Sequence, residues 1–412
     1  MPLPSSTDIA VIGAGAAGVA AGRRLLAAKA NFVVLEARAR AGGRAWTETI
    51  GGFPLDLGCG WLHAAERNAW AKIAESEGLS VDRTPPPWGK PALTYGLSAA
   101  DEREFRAAMA AFYARLEAAE AGRDRALADF LEPGGKWNAR LNAVSTYVNG
   151  VELDRASLAD YAAYDDAGGN WRIKEGYGAA VEAYAGGLPV AFDCAVKTID
   201  HGGKRLRIET TEGALSARTA IVTVPTALIA EEAIRFTPAL PEKIEAAAAL
   251  PLGLADKAFL SLAEDEKFPA ESRLFGKIHA AGAVTYHFRP FGRPLCEAYF
   301  GGKLAQELED AGEGALGQFA VDELANLVGN ELRAKLAPLA TTAWARDPFA
   351  RGSYSYALPG RAAARAKFAA PVDERLFFAG EATSPAHFTT AHGAYETGIA
   401  AAAQALAAIA RA

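Results

Sequence analysis

Asp8-Ile-Ala-Val-Ile12 runs directly into Gly13-Ala-Gly15-Ala-Ala-Gly18, and this stretch decides the fold. The first five residues are an apolar run that reads as a buried strand, and the residues after the glycines, to about Lys29, read as a helix. A second apolar run, Phe32-Val-Val-Leu35, ends in Glu36. The three glycines have separate tasks. Gly13 permits the tight turn, Gly15 lets the backbone approach a pyrophosphate, and Gly18 lets helix pack against strand. The helix N-terminus offers unpaired N–H groups and the positive end of its dipole to phosphates. Glu36 stands where a carboxylate accepts ribose hydroxyls and repels a 2′-phosphate. Strand, glycines, helix, strand and acid in this order predict a Rossmann-type dinucleotide site.

Working outward, Arg38-Ala-Arg40-Ala-Gly-Gly43-Arg44 follows Glu36 within a few residues and leads to Gly52-Phe-Pro-Leu-Asp56-Leu-Gly58. A nicotinamide-binding domain normally continues here into a further strand and helix. A Gly-Gly-Arg turn beside the phosphate site instead places Arg44 as a second pyrophosphate donor. Near the other terminus, Leu376-Phe-Phe378 reads as a strand, Ala379-Gly380-Glu381 as a turn, and Gly393 onward as the last helix. A strand, a glycine turn and a helix start again favour a group carrying partial negative charge, such as the edge of a reduced flavin.

These segments resemble the flavin amine oxidase family. Glu36 through Gly43-Arg44 is similar to the motif that follows the first unit of the wider FAD-linked flavoproteins. Phe378 to Thr383 and His392 to Gly398 resemble the family's C-terminal signature, with Thr397 where serine is usual. Gly58-Cys-Gly-Trp61-Leu-His63, Trp171 to Gly178, Ala220 to Pro225 and Trp344 to Tyr356 match further family segments in order. The resemblance implies an α/β fold: an FAD-binding, glutathione-reductase-like domain from residues 1–77, 175–252 and 345–412. Residues 78–174 and 253–344 would interleave as a substrate domain, a mixed sheet flanked by helices.

It also implies roles. Gly13, Gly15, Gly18, Glu36, Arg38, Gly43, Arg44, Val196, Trp344, Gly380 and Glu381 would hold FAD, with Val196 at the adenine edge and Glu381 at the ribityl-phosphate region. Lys257 falls where the family has a lysine bonded through water to the flavin, assisting proton removal or reoxidation by O2. The alternation after it puts Lys257 and Phe259 on one strand face, and an inward lysine is costly unless paired. Tyr354 aligns with an aromatic wall of the amine pocket, and such a face holds a cation at ~0.5–2 kcal/mol. Ser353 replaces the cysteine that carries covalent flavin in some members, so the FAD is expected to be non-covalent. The second wall falls near Thr390, with Phe388 or His387 as substitutes. His63 matches a polyamine-oxidase histidine and tilts the substrate toward polyamines. His392 is read as structural.

The 412 residues suit roughly two to three domains, and 50% apolar residues suffice for a large core. A net charge of −6 argues against nucleic acid. Cys59, Cys194 and Cys296 are dispersed, and the six histidines show no metal spacing, so no metal is expected. Ile399 to Ala410 is well short of the ~20 apolar residues of a membrane span, and Met1 to Thr7 lacks a signal's apolar core, so the protein is expected to be cytoplasmic. Phe105, Met109, Phe112 and Leu116 form a helical stripe, read as core-facing, with Asp101 and Glu104 as its capping signal. The leading expectation is an oxidase of small-molecule amines, polyamine-like or aryl-alkyl, using O2. A flavin desaturase of apolar substrates and a non-catalytic FAD scaffold are the rivals.

Overall fold

In the computed structural model the described residues are 1–412 without 96, 120–123, 166, 264, 266, 267 and 412. The opening stretch folds as strand Ile9–Ile12, helix Ala16–Ala27 and strand Phe32–Leu35. Every residue of both strands is buried. They lie inside a five-stranded sheet in the order Leu376–Phe378, Thr219–Val222, Ile9–Ile12, Phe32–Leu35, Val190–Ala191. All four pairings are parallel. A parallel sheet is covered on both faces, which is why these strands read as unbroken apolar runs rather than alternating ones.

The two faces bury different partners. Ile9, Val11 and Val34 pack with the first helix and with the terminal helix Ala391–Arg411. Ala10, Ile12, Val33 and Leu35 pack against a four-stranded sheet built from Val196–Asp200, Leu206–Thr210, Gly213–Ala217 and Arg235–Thr237. The helices meet closely enough that a Cβ on Gly398 would come 2.1 Å from the Ala17 carbonyl oxygen. The terminal helix begins at Ala391, two residues before the expected start, because Thr390 caps it: the Gly393 N–H donates to Thr390 Oγ1 at 3.0 Å.

A second five-stranded sheet runs Ser272–Phe275, Thr285–Phe288, Leu295–Gly301, Ala255–Leu262, Leu336–Thr341. Expected as mixed, it is antiparallel in all four pairings. Its first three strands follow one another through loops too short for a parallel crossover, which needs a dozen or more residues. One face, carrying Leu274, Tyr286, Cys296, Ala298, Ala258 and Leu260, packs with helix Ala315–Val328.

The amphipathic stripe forms helix Ala99–Glu117, but its cap is Ser98 rather than Asp101. Ser98 Oγ accepts from the Asp101 N–H at 3.1 Å and donates to the Asp101 carboxylate at 2.7 Å, so Asp101 is the third helical residue beneath the cap. No helix among the described residues is long and apolar enough to cross a membrane.

Candidate active site

The first strand ends in the glycine turn. Gly13 has φ +101°, and a Cβ on Gly18 would lie 1.8 Å from the Gly13 carbonyl oxygen, so turn and helix fit only without side chains there. Gly15 is the N-cap of the first helix and provides no side-chain cap, leaving the helix end to a ligand. At the tip of the second strand, Glu36 is buried and accepts from the Ala14 N–H at 2.7 Å and the Arg38 N–H at 2.9 Å. Burial raises its pKa above the usual carboxylate value, against the pull of those two N–H groups.

A cavity of about 950 Å³ extends from this turn to Lys257 and Tyr354. Glu36, Arg38, Gly43, Arg44, Val196, Trp344, Gly380 and Glu381 line it together with Gly13 and Gly15. Gly18 packs behind the turn instead. Arg38 pairs with Asp347, and the Trp344 indole N–H donates to the Leu57 carbonyl. Glu381 was expected to face the ribityl-phosphate region, but its carboxylate is largely committed to protein donors. It takes Arg44 at 3.0 Å, the Ser355 N–H at 3.2 Å, Ser355 Oγ at 2.7 Å and the Thr389 N–H at 3.0 Å. Burial alone would raise its pKa; Arg44 and Arg365 overturn this and hold it below the ordinary range. Glu381 is therefore a clasp joining the Arg44 turn, the Ser353–Ser355 segment and the loop before the last helix.

Lys257 enters from the antiparallel sheet. Its Nζ donates to the Asp56 carbonyl at 2.8 Å and lies 3.1 Å from the Glu297 carboxylate. The paired lysine shares its strand face with Phe259, whose ring centroid is 5.8 Å from Nζ. The Asp56 carboxyl is pushed up to about 6 by burial, with Lys257 opposing. Tyr354 donates to the Tyr147 carbonyl at 2.9 Å, and its hydroxyl is 3.3 Å from that of Tyr299. Burial drives the Tyr354 phenol up to about 12, so it presents a neutral aromatic wall.

His63, Phe388 and Thr390 also line the cavity. His63 Nδ1 is 2.6 Å from Asn170 Oδ1. Phe388 is fixed between the Arg365 guanidinium at 3.8 Å and the Tyr164 ring at 5.3 Å. The Thr390 hydroxyl donates to the His387 carbonyl, consistent with its capping task. His387, the other substitute wall residue, pairs with Glu396 at 2.7 Å instead, because its ring sits beside that carboxylate on the terminal helix. His392 is buried in the helix's first turn, and burial lowers its pKa to about 3.

Sequence reasoning missed Glu297, Tyr299 and Tyr147, which line the same cavity. The signal for the first two was the alternation in Leu295-Cys-Glu-Ala-Tyr-Phe300, where Cys296, Ala298 and Phe300 are buried and Glu297 and Tyr299 face the other way. The helical stripe is core as expected: Phe105, Phe112 and Leu116 are buried in one cluster with Met109 packed against it, and Phe105 and Met109 also border the cavity.

A parallel Rossmann sheet with a phosphate-ready turn, opening into a cavity that ends on a buried lysine and paired tyrosines, defines a flavoprotein oxidoreductase. The chain belongs to the flavin-containing amine oxidoreductase family, whose profile matches residues 16–157 and 114–406. It is 29% identical over 97% of its length to polyamine oxidase 4 of Oryza sativa subsp. japonica, covering 88% of that protein. It is 28% identical to lysine-specific histone demethylase 1 homolog 2 of Arabidopsis thaliana, over 95% of this chain and 57% of that one. Among solved structures, the fold is similar to cyclohexylamine oxidase of Brevibacterium oxydans IH-35A, with TM-score 0.79, 21% identity and coverage of 98% and 100%. Putrescine oxidase bound to putrescine is similar at TM-score 0.78 and 18% identity, over 98% of this chain and 99% of that one. The protein is a flavin-dependent enzyme, and the glycine turn, Glu36 and the long cavity fit FAD.

Proposed function

We propose that the protein oxidises a primary or secondary amine to an imine with O2 as acceptor, releasing hydrogen peroxide; water then converts the imine to an aldehyde or ketone plus the freed amine. The observation that carries this is Lys257, held by Asp56 and Glu297 in the same cavity as the dinucleotide turn and facing a tyrosine-lined chamber. FAD, when bound, supplies the two-electron redox chemistry. Gly13, Gly15 and the first helix would hold its phosphates, Glu36 its adenosine ribose, and Arg44 would add a second charge at the pyrophosphate. Ser353 offers no thiol, and its hydroxyl is taken up by the Ala255 N–H at 2.9 Å, which supports non-covalent attachment.

The chain's own residues bind, orient and keep the chamber dry. Tyr354, Tyr299 and Phe388 supply apolar walls against which the neutral amine is oriented, and they exclude water from the reacting carbon. Lys257, fixed at Nζ, holds an ordered proton donor beside the reacting centre. Carboxylates on the cavity wall are already paired: Glu297 with Lys257, Asp160 with Arg365, Glu102 with Arg106. Among the described residues beyond the dinucleotide turn, none is left over to hold a chain of distal ammonium groups, which favours an amine with an apolar body over a long polyamine. The division into domains at 1–77, 175–252 and 345–412 against 78–174 and 253–344 belongs to the same reading. It is supported by the parallel sheet drawing its strands from the first three segments and the antiparallel sheet lying within 253–344. The test is stoichiometry: oxygen uptake and peroxide formation should match amine consumed one for one, and amine loss without peroxide would refute O2 as acceptor.

A further inference from the structure

The cavity-facing side of the antiparallel sheet can be read as two rows across its strands. One is Arg273, His287, Glu297 and Phe259, and the other Phe275, Thr285, Tyr299 and Lys257, each residue opposite the next by strand register. Three of the four ionisable side chains that can carry charge on this face have counter-groups. Lys257 has Glu297 at 3.1 Å, and His287 has Glu271 at 2.8 Å. Arg273 differs. It lines the cavity, its guanidinium stacks 4.3 Å from the centroid of Phe275, and its Nε is buried without a hydrogen-bond partner. No described residue forms an ion pair with it.

The surroundings sharpen the imbalance. Glu102, the carboxylate that attracts it, is committed to Arg106 at 2.8 Å and to the Ala92 N–H at 3.0 Å. Arg140 also stacks on Phe275, at 5.2 Å. Burial pulls the Arg273 pKa down to about 10, and Arg106 adds to the pull by like-charge repulsion. A half-buried guanidinium among other cations is costly unless an anion completes it, and its planar fork matches a carboxylate.

We propose that Arg273 receives a carboxylate at the far end of the amine, so that the substrate is an amino acid whose acid is remote from the oxidised carbon. The distance follows from the sheet. Strand 272–275 stands three strand spacings from the strand of Lys257, about 14 Å between backbones. That excludes a carboxylate on the reacting carbon itself and calls for an apolar spacer, which Phe275, Tyr299 and Met109 along the cavity wall would cover. A second ammonium at this position would meet a cation. The inference rests on the amine-oxidising reading for its reaction, and on Arg273 alone for its specificity.

The experiment compares matched pairs on the FAD-loaded enzyme: ω-aminohexanoate with hexylamine, ω-aminooctanoate with octylamine, and carboxyphenethylamine with phenethylamine. At least one acid should exceed its uncharged partner in kcat/KM by about tenfold or more, chiefly through KM. Arg273→Gln should collapse that ratio, and Arg273→Lys should restore part of it. A second measurement needs no turnover. Hexanoate and octanoate, titrated against hexanol and octanol, should perturb the flavin absorbance and bind more weakly to Arg273→Gln. Amines oxidised with no preference for any acid, and carboxylates bound equally by wild type and Arg273→Gln, would overturn the proposal and leave amine oxidation standing. Carboxylates bound through Arg273 with no amine reducing the flavin would support this site and overturn the amine reading.

Discussion

In the proposed reaction Lys257 is the side chain on which the proton chemistry rests. A lysine this deeply placed is tolerable because its ammonium has two partners, the Asp56 carbonyl and the Glu297 carboxylate. That arrangement fixes Nζ in position instead of leaving it to sample rotamers. Lys257→Met keeps the volume and removes the donor. It should slow flavin reduction or reoxidation by at least about tenfold, as loss of a positioned acid–base group does. Stopped-flow traces of the two half-reactions would measure this, and unchanged rates in both would remove Lys257 from the mechanism. Most residues that line the turn end of the cavity were legible at this scale because a glycine turn or a strand-end acid has few other uses. Glu297, Tyr299 and Arg273 were not. They come from two strands that the sheet sets two places apart, and a lone Glu or Arg on a strand looks like an ordinary solvated face until the sheet is assembled.

At the scale of elements, the segment between the last strand of the antiparallel sheet and Trp344 is held by a buried pair of acids. Asp256 accepts from Thr342 Oγ1 at 2.7 Å and from the Trp344 N–H at 3.1 Å. Glu309 accepts from the Ala345 and Arg346 N–H groups at 3.0 and 3.2 Å. Burial, and then the neighbouring Glu309, raise the Asp256 pKa well above that of an unfolded aspartate. With its folded pKa raised, the protonated Asp256 contributes stability that is full below the unfolded carboxylate range. That contribution is lost as pH rises through the folded value. Wild type should therefore lose stability from weakly acidic toward alkaline pH, and Asp256→Asn should flatten the decline. Denaturation midpoints across that range would measure it; parallel profiles would show that the pair carries no proton. The helices and strands were largely readable from apolar runs and stripes, but not their caps. Ser98 and Thr390 do the capping, and each is an unremarkable hydroxyl until the chain direction beside it is known.

For the whole molecule, the main consequence of the fold is that one cavity joins residues from both ends of the chain. Glu381 carries that joining: its carboxylate ties the Arg44 turn to the segment bearing Tyr354. Length alone says only roughly two to three domains, not how the chain is shared among them. The strand order, with Leu376–Phe378 beside Thr219–Val222 beside Ile9–Ile12, shows a chain that returns to its first sheet after building the second. With Ser353 in place of a cysteine, flavin should be released into the supernatant on acid precipitation, and flavin retained on the pellet would contradict non-covalent binding. The central claim, that this cavity oxidises amines, is tested most directly by mixing the oxidised holoenzyme anaerobically with a panel of alkyl, aryl-alkyl, carboxylated and polyamine substrates. The prediction is that at least one amine bleaches the flavin absorbance. A flavin that dithionite reduces but no amine on the panel does would contradict the account.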